Sequence, residues 1–261
     1  MGGPNSGVQS GASRVMALLE VLSSAGPAQH PDGLSVSEAA RLLGRDKSVV
    51  SRQLRSLLET GLVSRDEKTG RYDLSWRLFA LAVHAADQRL TKLAGPLMLR
   101  LAMTVGERTY LSVLSDDEVL TVYSESSRRP VEAVNWTGLA VPPLRSSSGM
   151  ALLMDHDDEH ILDLIRRGPY GASERQADEF LASVRVARRR GYTVASRLFD
   201  PELHGIGVPV RDATGKIKAA MNISGPSSRV EPHLQAFAGQ LVAAVKALEK
   251  SLRADARGNP A

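Results

Sequence analysis

Two helix signals in immediate succession, followed at once by a hairpin signal, constrain this chain more than any other feature. Ser35-Val36-Ser37-Glu38 has the S-x-x-E spacing in which hydroxyl and carboxylate each satisfy the other residue's backbone N–H. Val36, Ala39, Ala40 and Leu43 then share one apolar face before Gly44 stops the helix. A helix that short needs a neighbour. Asp46 is placed to cap the next one, in which Val50, Leu54, Leu57 and Leu58 face inward and Thr60-Gly61 marks the end. Upstream, Val15, Leu18, Leu19 and Leu22 outline a first helix that stops at Ala25-Gly26-Pro27. Three helices with the last two tightly joined predict a helix-turn-helix. Leu62-Val63-Ser64-Arg65 and Arg71-Tyr72-Asp73-Leu74 flank a polar turn at 66–70, which predicts a β-hairpin in the position of a wing.

The exposed face of the third helix carries the chemistry. Ser48, Ser51, Arg52 and Arg55 fall at i, i+3, i+4 and i+7, opposite the apolar face, with Arg45 and Lys47 at the entrance. Arginine binds guanine edges bidentately in a major groove, and serine reaches bases or phosphates. A merely solvated polar face is the bland alternative; capping box, tight turn and wing together favour double-stranded DNA. Lys68 and Arg71 in the hairpin are further candidates for minor-groove or phosphate contact. Residues 1–75 hold nine basic and eight acidic side chains, so affinity has to come from clustering and dimerisation.

Past the hairpin, residues 76–86 are helical but apolar on several faces, which suggests packing against a second chain. Leu90, Leu93, Leu97 and Leu101 continue a helix that Pro96 kinks and Gly106 ends. The period then changes. Strands are predicted at 110–115, 119–124, 131–136, 192–196, 207–211 and 216–224. Helices are predicted at 146–154, 157–167 and 174–190, the last capped by Ser173, and a final one opens on Pro232. The fold class is α+β, with a flexible start (1–7), a winged helix-turn-helix (8–75), linker helices (76–106), a second domain of interspersed strands and helices (107–254) and a flexible tail (255–261).

Several chemistries are excluded. With no cysteine there is no disulfide, thiolate metal site or Cys nucleophile. Neither G-x-S-x-G nor S-x-x-K occurs, so no catalytic serine is assigned. Asp155-His156-Asp157-Asp158-Glu159-His160 has metal-ligand types, but its order is not H-E-x-x-H and its acids suit a helix's first turn, so no metal is assigned. The most apolar long stretch, 74–90, is broken by Arg77, His84 and Asp87, and the N-terminus lacks a secretion signal; a cytoplasmic protein without membrane contact is expected. Ser146-Ser147-Ser148-Gly149 opens a predicted helix, where free N–H groups and hydroxyls favour an anion over simple capping. That suggests a small carboxylate, with Arg145, Arg197 or His204 as counter-charge. Trp136 is expected in a core or at a pocket rim.

Val8-Gln9-Ser10, residues 34–44 from Leu34 to Gly44, Lys47-Ser48-Val49-Val50, Leu57, Gly61-Leu62-Val63 and Thr69-Gly70-Arg71-Tyr72-Asp73-Leu74 together resemble the IclR family of bacterial transcriptional regulators. The resemblance continues through Gly191-Tyr192 and Ile223-Ser224-Gly225-Pro226. It implies a winged helix-turn-helix, a linker helix and a GAF-like effector domain, assembled as a homodimer or dimer of dimers on operator DNA, with no cofactor. Matched residue by residue, it implies an effector pocket of Ser147, Ser148, Gly149, Ala195, Leu203, Gly205, Asn222 and Ser224. Ala195-Ser196-Arg197-Leu198 stands where many members have acids, and Met150 where a Lys often follows the glycine. An enzyme with an accessory winged helix, using residues 146–149 catalytically, is the alternative; the missing nucleophile–base pattern counts against it.

Overall fold

A computed structural model describes residues 10–24, 33–85, 88–115, 117–130, 132–167, 172–196, 198 and 201–258. The chain divides into two compact units, Met1–Asp87 and Gln88–Ala261.

In the first unit α1 (Gly11–Ser24), α2 (Val36–Leu43) and α3 (Lys47–Glu59) precede the two-stranded antiparallel pair β1 (Val63–Arg65) and β2 (Tyr72–Leu74), and α4 (Trp76–Ala85) follows. Both halves of the capping box on α2 are made, Glu38 N–H donating to Ser35 Oγ (3.3 Å) and Ser35 N–H to Glu38 Oε2 (2.8 Å). Gly44 stops α2 in the left-handed region, φ +60°, where a β-carbon is unfavourable, and its N–H reaches back to Ala40 and Arg41. The turn into α3 is thereby three residues long. Leu18, Leu22, Leu34, Ala40, Val50, Leu54, Leu57, Val63 and Tyr72 meet in one core. Leu34 also bridges to Tyr72, so the hairpin is tied to the segment ahead of α2.

Two expectations fail here. Asp46 occupies the N-cap position of α3 but its side chain makes no cap hydrogen bond. Leu58 is exposed, because the inward stripe is complete with Val50, Leu54 and Leu57.

The second unit is a six-stranded antiparallel sheet with helices on both faces, an α+β arrangement. After α5 (Gln88–Val105) come β3 (Arg108–Ser115), β4 (Glu118–Glu125) and β5 (Ala140–Val141). A 3₁₀ turn (Pro143–Arg145) leads into α6 (Ser147–Leu152), then α7 (Asp158–Arg167), α8 (Glu174–Arg190) and β6 (Thr193–Ser196). β7 (Leu203–Arg211), β8 (Ile217–Pro226), α9 (Ser227–Val230) and α10 (Leu234–Gly258) complete it. The strand order β5-β4-β3-β8-β7-β6 places the two shortest strands at the edges. Side chains alternate between faces with the period of two that strands impose. Leu111, Ile206, Val208, Met221 and Ile223 pack with Met98 and Leu101 of α5 and Leu241 and Val245 of α10. On the other face Val119, Ala195 and Ala220 pack with Met150 and Leu153, with Ile161 and Leu164 of α7, and with Phe180 and Val184 of α8.

Of the segment expected as a strand at 131–136, Val131 lies outside the described residues and 132–136 has no regular structure. Side chains hold it: Arg108 Nε donates to the Ala133 carbonyl (3.0 Å), Arg108 Nη2 to Glu132 (2.6 Å) and Tyr110 Oη to the Val134 carbonyl (2.7 Å). The short strand at the sheet edge is β5 instead, paired with Val119 and Leu120. Pro232 lies in a 3₁₀ turn, Glu231–His233, ahead of α10 rather than at its first position. That helix also runs through residues 255–258, where a flexible tail is expected, and 259–261 lie outside the described residues.

Candidate functional site

A cavity lies between the sheet and the start of α6. Alternation decides its floor. Asn222 and Ser224 of β8, Leu203 and Gly205 of β7, and Tyr110 and Ser112 of β3 all face it, while their strand neighbours Ile223, Ile206 and Leu111 enter the opposite core. Ala195 of β6 and Val119 and Thr121 of β4 extend the floor; Arg145 and Ser146 to Ser148 form one wall, and Trp136 and Leu198 also line it.

The three serines have three different jobs. Ser146 is the N-cap of α6, its Oγ accepting from Gly149 N–H (2.9 Å). Ser147 contributes its carbonyl, which accepts from Thr193 Oγ1 (2.7 Å) and so fixes α6 to β6. Ser148 Oγ donates to Asn222 Oδ1 (2.8 Å), joining helix to sheet inside the pocket. Both residues of that last pair are buried. With its carbonyl oxygen engaged, Asn222 presents amide N–H groups as the donors still able to meet a ligand. Glycines make this close seating possible. A β-carbon on Gly207 would lie 2.6 Å from the Ser147 carbonyl oxygen and 2.7 Å from Thr193 Oγ1.

Seven of the eight residues implied as effector ligands line the cavity: Ser147, Ser148, Ala195, Leu203, Gly205, Asn222 and Ser224. Gly149 is the exception. A β-carbon there would lie 2.2 Å from the Pro143 carbonyl oxygen, so Gly149 seats α6 on the preceding turn and does not face the pocket. The helix-terminus account of anion binding also changes. α6 is only six residues long and one of its first N–H groups is occupied by Ser146. Arg145 is the one cation among the described lining residues, which include no carboxylate. His204 points to the other face between Leu203 and Gly205, and Arg197 lies outside the described residues. Tyr110, Ser112 and Thr121 were missed, although alternation within the two predicted strands puts them on one polar face. Burial pushes the Tyr110 hydroxyl well above its ordinary pKa.

Residues 155–160 do other work. Asp158 pairs with Arg185 (2.6 Å) and Arg188 (2.7 Å), Asp155 pairs with Arg211, and the His156 and His160 rings stack at 4.8 Å. Burial, with help from the neighbouring His160, lowers the His156 pKa. Among the described residues no cluster of His, Asp and Glu has the makings of a metal site.

In the first unit Lys47, Ser48, Arg52 and Arg55 are exposed on α3, opposite its core face, while Ser51 and Arg45 are half-buried and Lys68 is exposed in the hairpin turn. Arg71 is different. Its guanidinium donates to the Gly33 carbonyl (2.7 Å) and pairs with Glu38 (3.0 Å), bracing the base of the hairpin against the start of α2. Hydrogen bonds from the Ser35 side chain and backbone, then Arg71, hold the Glu38 carboxyl down to about 2. Arg71 is therefore a brace inside the unit and not a free cation for a duplex.

The family described as bacterial transcriptional regulator IclR, C-terminal, matches residues 82–250, and a second family model, HVO_A0114, matches residues 12–76. The HTH-type transcriptional repressor AllR of Escherichia coli K12 is 26% identical over 234 residues, covering 88% of this chain and 84% of that protein. The HTH-type transcriptional regulator KdgR of the same strain is 23% identical over 225 residues, covering 84% and 86%. Among solved structures, an IclR homolog from Microbacterium hydrocarbonoxydans complexed with 4-hydroxybenzoate has 26% identity and a TM-score of 0.75, covering 94% of this chain and all of that one. The Thermotoga maritima IclR shares the fold at 18% identity and a TM-score of 0.67, covering 93% and 98%. These relatives are regulators rather than enzymes, and the chain belongs to the IclR family of bacterial transcriptional regulators.

Proposed function

We propose that residues 8–75 form a winged helix-turn-helix that reads operator DNA, and that residues 107–254 form a GAF-like domain whose pocket holds a small-molecule effector, with 76–106 as the linker between them. The exposed basic face of α3 carries the DNA assignment: Lys47, Ser48, Arg52 and Arg55 present donors on a helix slender enough for a major groove. Ser51, Arg45 and Lys68 flank them, and Arg71 is left out because it is engaged with Glu38. Selection from a random duplex library yields the preferred sequence. Arg52→Ala should then lose about 1–3 kcal/mol of discrimination at one base position, roughly 5- to 150-fold, with the fold intact. Unchanged discrimination would remove Arg52 from base contact.

For the effector, a small carboxylate with a flat apolar body suits the pocket best. Arg145 meets the charge, Tyr110 and Trp136 offer ring faces, and the Asn222 amide, with Ser148 and Ser224, meets a polar far end. The 4-hydroxybenzoate bound by the Microbacterium homolog has this chemistry and is the first compound to try.

We also propose a homodimer, or a dimer of dimers, acting in the cytoplasm where operator DNA is found. Leu99 and Met103 lie one turn apart on α5 and are 39% and 56% exposed, an apolar pair suited to a partner chain. The Phe79 and Val83 side chains, expected in the same role, lie outside the described residues. A Leu99→Glu, Met103→Glu protein should sediment as a monomer; an unchanged oligomer would move the contact elsewhere. Among the described residues no helix is long and apolar enough to cross a membrane.

A further inference from the structure

Beside α3 lies a second basic feature, which shares only Arg45 with the residues assigned to DNA above. Arg14 of α1, Arg41 in the last turn of α2 and Arg45 in the turn converge on one wide, open cleft. Its remaining lining is Ala40, Gly44, Val49 and a single acid, Asp46. The lining therefore carries more cationic than anionic side chains, and an anion is the ligand that such a lining favours. Two other arginines of the unit are engaged: Arg65 donates to the Gly70 carbonyl and Arg71 pairs with Glu38. Arg14 and Arg41, both exposed, make no ion pair among the described residues.

The cleft's position identifies the anion. Val49 lines it, and the next residues on either side of Val49's turn, Ser48 and Arg52, belong to the exposed face of α3. It opens broadly to solvent, which suits a continuous strand passing across better than a small molecule held inside. Guanidinium groups are the side chains best matched to phosphate oxygens.

We propose that Arg14, Arg41 and Arg45 form a sequence-independent cleft for the sugar-phosphate backbone of duplex DNA, next to the base-reading face of α3. The inference rests on the DNA assignment made above and adds to it a separate electrostatic footprint. Contacts of this kind release condensed counterions, so each one steepens the salt dependence of binding by about 0.9 in log–log slope without favouring any sequence.

The test measures binding of the full-length protein to a random-sequence duplex between about 50 and 200 mM salt. Arg14→Gln, Arg41→Gln removes two exposed charges and leaves the half-buried Arg45 in place, so the fold should persist by circular dichroism and melting. The slope should become shallower by about two, roughly one per arginine. Arg14→Lys, Arg41→Lys, which keeps both charges, should retain most of the wild-type slope. Base preference in the library selection should be unchanged by either pair. An unchanged slope in the Gln pair overturns the proposal, as does a Gln pair that changes base preference without changing the slope. Inorganic phosphate is the second arm: if it raises the wild-type melting temperature and the Gln pair abolishes that rise while the duplex slope stays the same, the cleft takes free phosphate and not DNA. Arg52→Ala separates the two levels. If it loses discrimination while the Gln pair keeps its slope, only the cleft fails; if neither protein differs from wild type on DNA, the DNA assignment of the unit fails with it.

Discussion

Arg145→Gln should leave the second unit as stable as the wild type and take away most of its response to aromatic carboxylates. A ligand that binds only the folded state at 100 times its dissociation constant stabilises by about 2.7 kcal/mol, or roughly 2–4 °C in Tm per kcal/mol for a unit of this size. A hydrogen bond to a charged group contributes about 1.5–3 kcal/mol, so its loss weakens binding roughly 10- to 150-fold. At the same ligand concentration the stabilisation then falls to about 1.4 kcal/mol or less. Thermal shift with 4-hydroxybenzoate, beside its uncharged amide, measures this. The wild type should respond to the acid and much less to the amide, and the substituted protein should treat the two alike. Equal responses of the wild type to acid and amide would refute the carboxylate assignment. Ser148→Val is a blunter probe, because it also leaves Asn222 Oδ1 buried without the donor it has now. That costs about 1–3 kcal/mol before any ligand is added, so binding and folding change together.

The second large effect concerns Gly207. A methyl group there meets the Ser147 carbonyl oxygen and Thr193 Oγ1, two atoms hydrogen-bonded to each other in the seam between α6 and the sheet. Neither is the loose end of a long side chain, so the helix start has to lift. Gly207→Ala should destabilise the second unit by about 1–3 kcal/mol and lower its melting temperature accordingly. Thr193→Val, which keeps the shape but removes the hydroxyl's bond to the Ser147 carbonyl, should destabilise modestly and should make a following Gly207→Ala cost less than it does alone. Strict additivity in that double-mutant cycle would show that the glycine serves some other contact.

Local chemistry made much of this molecule legible in advance. The box at Ser35 and Glu38 and the stop at Gly44 bound α2 correctly, and Ser173 does the same for the start of α8, because caps act within a few residues of where they stand. Most of the pocket was also accessible, since the small residues at 147, 148 and 205 and the polar pair at 222 and 224 match a family pattern. What stayed hidden depends on long-range partners. Arg71 looks like any hairpin cation until Glu38, 33 positions away, is found beside it. The stretch at 132–136 has β-like composition, yet Arg108 and Tyr110 satisfy its carbonyls and no neighbouring strand does. Half-buried Glu132 makes the same point. Desolvation alone would raise its pKa, but Ser126 and Arg108 hold its carboxyl below the usual range.

The order of strands has a bearing on how this protein behaves when concentrated. Only the two outermost strands of a sheet have backbone groups available to recruit another sheet, and long flat edges are where aggregates begin. Here those positions fall to β5, with two residues, and β6, with four, while the longest strands, β7 and β8, lie inside. An incoming strand would find two residues to pair with on β5 and four on β6, and beyond them only the overhanging ends of β4 and β7. A pocket that needs sheet edges nearby for its lining at Val141 and Ala195 is thus built on borders that end after a few residues.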